Sequence, residues 1–488
     1  MAGIGWRLER LIGLGTLSGA VAAYATGAAV MALPWALTTA VLVALPILLG
    51  RNTAGYDAAE TVVTIAYSVA LLVDGPFQVA IARHTADRLY EGSFHAIAGP
   101  LCRGLALVSL LGACAAACTL LLLGLPAASV LTGGALAASA AAQWTALSVG
   151  NGLCSPARVL GSVGAGAAAG LTLAPVGLAL FGHGVPGYLF ALVTGQGLTL
   201  AFLSSGILKA LPEGNDEGAA LLPAFREYAF LAAAGFAFNA SLWVDKILTR
   251  LLAPPEAREI HASVSTLAWL STIPCLAWIF VEVETTFHRR FRAFFAMLEG
   301  GAPLADLRYG VRGLERECLR LLRGAAEVQA GVTLFMQAAA GACLAWLDLP
   351  ASALLPFRLL LLGAGLQALA LLALILLYYF DLRRDAFFAA AGLFAAVAIG
   401  TTAASCAGFP PGGGMALGLA AGTAHAWLRV RRGVRAVLHR TLLGQPFGAE
   451  RLENVFPPQR PAQTRPSAPP PEARQRDRLR PGQASSPP

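Results

Sequence analysis

A chain of 488 residues would ordinarily hold two or three soluble domains, but 57% hydrophobic residues, 13% charged residues and a mean hydropathy of +0.65 argue for lipid as the solvent. The net charge of +8 rests on arginines that fall between apolar runs, with no basic, aromatic-interleaved domain, which excludes a nucleic-acid binder. The eight cysteines form no Cys-x-x-Cys pair and the seven histidines show no metal spacing, so no disulfide framework, metal site or cofactor is expected.

Lipid offers no partner to backbone N–H and C=O groups, so each crossing takes about 20 mostly apolar residues folded as a helix. Arg7 and Arg10 precede an apolar stretch from about Ala20 to Leu49, too long for a cleaved signal. It reads as a retained first helix, kinked near Pro34 and preceded by a short interfacial helix anchored by Trp6. In chain order the spans fall near 20–49, 58–82, 104–125, 132–150, 159–181, 186–208, 228–250, 262–286, 326–347, 355–380, 386–408 and 413–430. The fold class is all-α: a polytopic membrane protein of about 12 transmembrane helices.

Charge placement sets the orientation. Loops after even-numbered spans hold Arg83, Arg88, Arg103, Arg158, Lys209, Arg226, Arg383 and Arg384, and eight arginines lie between 287 and 323. Loops after odd spans hold Arg51, Arg250, Arg258 and Arg358. This places both termini in the cytosol of a bacterial inner membrane. The polar stretch Pro212–Gly218 divides the bundle into six-helix lobes at 1–211 and 219–432, as in transporters built from two repeats. Residues 287–324 form a cytosolic segment whose Leu304, Leu307, Val311, Leu314, Cys318 and Leu321 make one apolar face among arginines. That pattern predicts an amphipathic helix on the anionic inner leaflet or, alternatively, a docking helix for a partner. Residues 433–488, rich in Pro and Arg, read as a disordered cytosolic tail.

Ionisable residues inside spans are costly and therefore candidates for function. Asp74 is the deepest lone acid, roughly 12 Å from the cytosolic end of its helix, and Gly75-Pro76 follows it. The proline lacks an N–H and should free carbonyls nearby. Either Asp74 faces an inter-lobe cavity and serves a cation, or it is a buried acid held by a neighbouring hydroxyl or amide. Asp245 and Lys246 point about 100° apart on one helix, so each needs another partner, and Lys246 can also reach the outer interface. Glu282 and Glu284, followed by Arg289 and Arg290, mark an acidic-then-basic rim: the lining of an inner vestibule or simply solvated helix ends. No catalytic constellation emerges, and no soluble segment is large enough for a nucleotide-sugar domain.

Several segments resemble the PelG family of exopolysaccharide transporters, within the multidrug/oligosaccharidyl-lipid/polysaccharide flippase superfamily. They are Met1–Gly5 with Trp6 and Leu8-Glu9, and Gly75-Pro76-Phe77-Gln78 leading to Ala86–Tyr90. Trp243-Val244-Asp245-Lys246, then Glu282–Phe287 leading through Phe294-Phe295 to Glu299–Ala302, and Tyr379–Arg384 follow in order. The likeness covers about residues 1–430. It implies two six-helix lobes around a central cavity, a cytosolic glycosyltransferase partner (PelF-like), and inner-membrane PelD- and PelE-like subunits, the former sensing cyclic di-GMP. It also implies a cationic amino-sugar polymer, which suits an entry lined by Asp74, Gln78, Glu282 and Glu284, with Asp245 and Lys246 further out.

The function expected is therefore non-enzymatic transport of a Pel-like polymer from synthase to periplasm, with Trp243, Trp278 and Tyr67 as lining aromatics. A lipid-linked oligosaccharide flippase or a cation-coupled drug exporter is the rival within the superfamily. A non-transporting scaffold of the synthase complex is the rival from another class.

Overall fold

In the computed structural model, residues 4–49, 56–211 and 221–443 are described, and no strand occurs among them. Sixteen helices follow one another: α1 (Ile4–Gly13), α2 (Leu17–Leu49), α3 (Tyr56–Tyr90), α4 (Ala98–Leu122), α5 (Ala127–Leu153), α6 (Pro156–Phe181), α7 (Val185–Ala210) and α8 (Leu221–Glu227). Then come α9 (Ala229–Leu252), α10 (Pro255–Leu270), α11 (Ile273–Glu282), α12 (His288–Glu299), α13 (Leu304–Trp346), α14 (Leu354–Tyr379), α15 (Arg383–Cys406) and α16 (Gly413–Leu443). Among the described residues nine helices are long and apolar enough to cross a membrane. The other three spans read from the sequence fall on α2, α5 and α16, and the count of twelve stays an expectation.

The helices bury two separate apolar cores. One draws on residues between Val41 and Ile207, where α3, α4, α5, α6 and α7 pack together. The other draws on residues between Val264 and Leu419, from α10, α13, α14, α15 and α16. Small residues let backbones approach, as lipid-embedded helices require without a hydrophobic drive between them. Gly166 and Gly170 of α6 pack on Gly195 and Ala191 of α7, and Gly400 of α15 on Gly414 of α16, at distances that no Cβ could share. Within the Gly161–Gly166 run, close packing is the role of Gly166 alone, since a Cβ at Gly161 or Gly164 would meet nothing within 4 Å.

Two seams join the lobes. Gly75 of α3 lies against Gly235 of α9, backbone on backbone, and Gly27 of α2 lies against Val281 and Ala277 of α11. Leu8 of α1 is fully buried in a small cluster with Ala23, Val30 and Val281, so α1 is pinned at the second seam.

The segment 287–324 differs from its expectation. Between α11 and α12 the chain makes one π-helical turn, Val283–Phe287, and α12 follows directly. The stripe from Leu304 onward is the start of α13, continuous with the next span over 43 residues. That is roughly 64 Å at helical rise, about twice a hydrocarbon core. Its apolar face does not lie on lipid: Leu307, Val311, Leu314, Cys318 and Leu321 are all buried in the protein. Gly310 rests against Phe294 of α12, and Glu315 pairs with Arg431 (3.3 Å) and Arg435 (2.7 Å) of α16. An amphipathic face looks the same in sequence whether lipid or protein covers it. Here the chain covers its own stripe.

The tail also starts later than read from the sequence, because α16 runs to Leu443. Residues 444–488, the rest of the expected tail, and the dividing stretch Pro212–Gly218 lie outside the described residues. Met1–Val437 forms one compact unit, and Leu438–Leu443 are the end of α16.

Candidate transport site

Asp74 sits on α3 one residue before the Gly75–Gly235 seam and is fully buried. The Thr145 hydroxyl of α5 donates to its Oδ1, while Oδ2 is buried without a hydrogen bond. In this conformation the acid is therefore held by a hydroxyl of its own lobe. The carbonyl of Leu71, five residues before Pro76, accepts a hydrogen bond of 2.6 Å from Asn239 of α9. A second-lobe amide thus occupies the stretch of backbone that the proline disturbs. Gln78, one turn along α3, is half-buried. Tyr67, on the same helix, takes a hydrogen bond from Gln196 of α7.

Towards the arginine-rich end the α3–α9 seam becomes polar. Tyr228 donates to Asp87 at 2.8 Å, Phe77 packs edge-on to Phe225 at 4.9 Å, and Arg83 lies 3.6 Å from Asp381. Arg383 stacks over the Tyr228 ring at 4.9 Å and donates to the Glu227 carbonyl at 2.9 Å. Asp381 holds a left-handed backbone (φ 50°), tolerable for Asp because its short side chain bonds locally, here to Arg383 at 2.9 Å. The two lobes are latched at this end. Tyr228→Phe is expected to remove one charge-assisted hydrogen bond, worth about 1.5–3 kcal/mol, and to raise the accessibility of an introduced cysteine at Val79 to a thiol reagent.

At the other seam Glu282 accepts from Arg320 of α13 at 2.7 Å and from Tyr24 of α2 at 3.3 Å. Arg320 also bonds Glu317, which is fully buried and is reached by Arg290 as well. Glu282 is thus a strut between α2, α11 and α13, while Glu284 is half-buried on the π-helical turn. A fully buried carboxylate depends on its partners, whereas the two arginines, both about half exposed, can turn to water. The double change Arg290→Ala/Arg320→Ala is therefore expected to cost about 3–5 kcal/mol and Glu317→Gln distinctly less, read as thermal unfolding in detergent.

Asp245 and Lys246 lie on α9 towards the opposite end. Their side chains approach to only 3.5 Å, as adjacent helix positions dictate. Lys246 donates to the Leu242 carbonyl at 2.9 Å and lies over the rings of Trp243 and Trp269 at 5.5 and 5.4 Å. Asp245, almost fully buried, faces His261 of α10 with 3.2 Å between Oδ2 and Nε2. The structure leaves Asp74, the Glu282 strut and the Asp245–His261 pair as separate places, not one constellation. Sequence reasoning missed Thr145, Asn239, His261, Tyr228 and Glu317. Of these, Glu317 had a signal: an acid on the apolar stripe between Leu314 and Leu321.

Two apolar cores joined by two glycine seams, with polar latches at one end, define a two-lobed helical membrane protein. Structures of this kind match closely in shape. A MATE transporter of Vibrio cholerae, VcmN in its bent form, aligns with a TM-score of 0.61 at 14% identity over 85% of this chain and 98% of that one. An outward-facing multidrug resistance MATE family transporter of the MOP superfamily aligns at 0.59, with 14% identity over 86% and 96%. A MOP superfamily transporter of Pyrococcus furiosus, described as having reverse polarity of its binding pocket, aligns at 0.58, with 14% identity over 85% and 96%. These identities establish the fold alone. No curated protein sequence matches the chain. A family model described as "PelG: Putative exopolysaccharide Exporter (EPS-E)" matches residues 1–441, and the chain belongs to that family.

Proposed function

We propose that this protein carries a cationic amino-sugar polymer, Pel-like in chemistry, from a cytosolic synthase across the bacterial inner membrane to the periplasm, between lobes 1–211 and 219–432. The family match over residues 1–441 is the observation that carries this reading. Both termini lie in the cytosol, as the arginine-rich loops argue. A PelF-like glycosyltransferase hands over the chain, and PelD- and PelE-like subunits hold the assembly. The protein itself makes no bond. Asp74, with one carboxylate oxygen unbonded beside the inter-lobe seam, serves a cation when the lobes part. Glu282 and Glu284 line the entry once the Arg320 strut releases.

The fold likeness to multidrug resistance transporters favours a second reading, cation-coupled export of a small molecule. A scaffold without transport has less support, since it has no need of buried intramembrane acids such as Asp74 and Asp245. Deletion of the gene, with extracellular amino-sugar polymer as readout and synthase activity measured in parallel, tests the proposal. Loss of polymer with an active synthase is the expected result. Undiminished polymer, with export of a small dye from vesicles lacking any synthase, would put the second reading in front.

A further inference from the structure

At the end of the second lobe away from the arginine-rich loops, a cavity of about 230 Å3 lies where α9 runs into α10 and α15 into α16. Asp245, Thr249 and His261 line one side of it, and Thr401, Ser405 and Phe409 the other. Three of its polar atoms are buried without a hydrogen bond: Oδ2 of Asp245, Nε2 of His261 and Oγ1 of Thr401. The carboxylate and imidazole face each other at 3.2 Å, an ion-pair distance at which the angles miss those of a hydrogen bond. Unmet polar atoms on residues no more than 5% exposed are costly unless something bonds them.

We propose that this cavity binds a single amino-sugar ring. The inference rests on the transport reading above and names the unit of substrate that one lobe holds.

Size and chemistry agree on the occupant. The cavity is several times the roughly 30 Å3 share of one water and smaller than the 300–1,000 Å3 typical of drug-sized ligands, so it suits one ring rather than a bare ion or a drug. No group of three or more His, Cys, Asp or Glu suited to a metal occurs among the described residues. An ammonium hydrogen adds a donor to Oδ2 of Asp245, ring hydroxyls bond His261 and Thr401, and the exposed ring of Phe409 offers an apolar platform to the sugar's C–H face. Lys246 engages the other carboxylate oxygen, Oδ1, so Oδ2, with His261 at 3.2 Å, keeps a lone pair for the ligand.

The test uses the full chain in nanodiscs. Galactosamine hydrochloride is titrated against tryptophan fluorescence, which Trp243 and Trp269 beside Lys246 report, with galactose and sodium chloride as comparison titrants. The expected result is a saturable change with galactosamine, at least about tenfold weaker binding of galactose, a difference of 1.4 kcal/mol, and no saturation with salt. Asp245→Asn and the near-isosteric Thr401→Val each weaken galactosamine binding; the second keeps the test decisive if the first fails to insert. No saturation with galactosamine, an equal response to sodium chloride, or undiminished binding in an inserted variant overturns the proposal. Deletion distinguishes the two failures. If polymer is lost on deletion but the sugar does not bind, the cavity assignment falls and transport stands; if polymer persists, the transport reading falls whatever the titration gives.

Discussion

Asp74→Ala is expected to abolish polymer secretion while the protein remains in the membrane at near-normal level. Removal of the carboxyl strands the Thr145 hydroxyl in a dry site, a loss of about 1–3 kcal/mol, which a protein with two cores and two seams should survive. Secretion should fall much further than abundance, because the carboxyl lost carries, besides the Thr145 acceptor, an oxygen with no structural partner. Asp74→Asn separates charge from shape. Its amide oxygen can still accept from Thr145, so the packing persists and only ionisation is gone. Loss of secretion in both variants, with membrane abundance retained on an immunoblot, places a cation at Asp74. Intact secretion and unchanged pH dependence in Asp74→Asn would reduce the acid to a packing group.

Gly235→Leu is expected to part the lobes at the α3–α9 seam. A Cβ at Gly235 would lie 2.2 Å from the Gly75 carbonyl oxygen, and one at Gly75 would lie 2.7 Å from that of Gly235. Backbone on both sides cannot swing away as a side chain tip can, so the helices must separate, at about 1–3 kcal/mol or more. That is comparable with what the Tyr228–Asp87 hydrogen bond returns, so the latch should loosen. The measurement is cross-linking between cysteines introduced at Phe77 and Phe225, whose rings lie 4.9 Å apart and which leave the Tyr228–Asp87 bond in place; the yield should fall in Gly235→Leu. Gly313→Ala, where a Cβ meets nothing within 4 Å, serves as the control and should leave the yield unchanged. Equal yields in both would show that the seam does not hold the lobes together.

Much of the candidate site was visible in the sequence as residues but not as partnerships. Asp74 was conspicuous because an acid in an apolar run has no cheap explanation, yet nothing near it in sequence points to Thr145, 71 residues away, or Asn239, 165 residues away. The segments that carry the PelG likeness behave similarly. Phe287 and Phe291 pack edge-on against Tyr379 and Phe380 at 5.3–5.9 Å, so two motifs some 90 residues apart form one aromatic cluster beside the π-helical turn.

The sequence by itself determined that this chain is a helical membrane protein and where most of its helices run. It could do so because lipid leaves the backbone no partner but its own helix, which turns composition and breaker residues into a direct record of secondary structure. It also carried the family, through short motifs in order. Only the tertiary structure decided what covers each apolar face and what answers each buried charge. The stripe on α13 could have met lipid, a partner or its own chain, since all three reward the same periodicity. The Asp245 carboxylate meets His261 of α10 as well as its neighbour Lys246, since which groups meet across a bundle depends on helix rotation and seam contacts that no local spacing encodes.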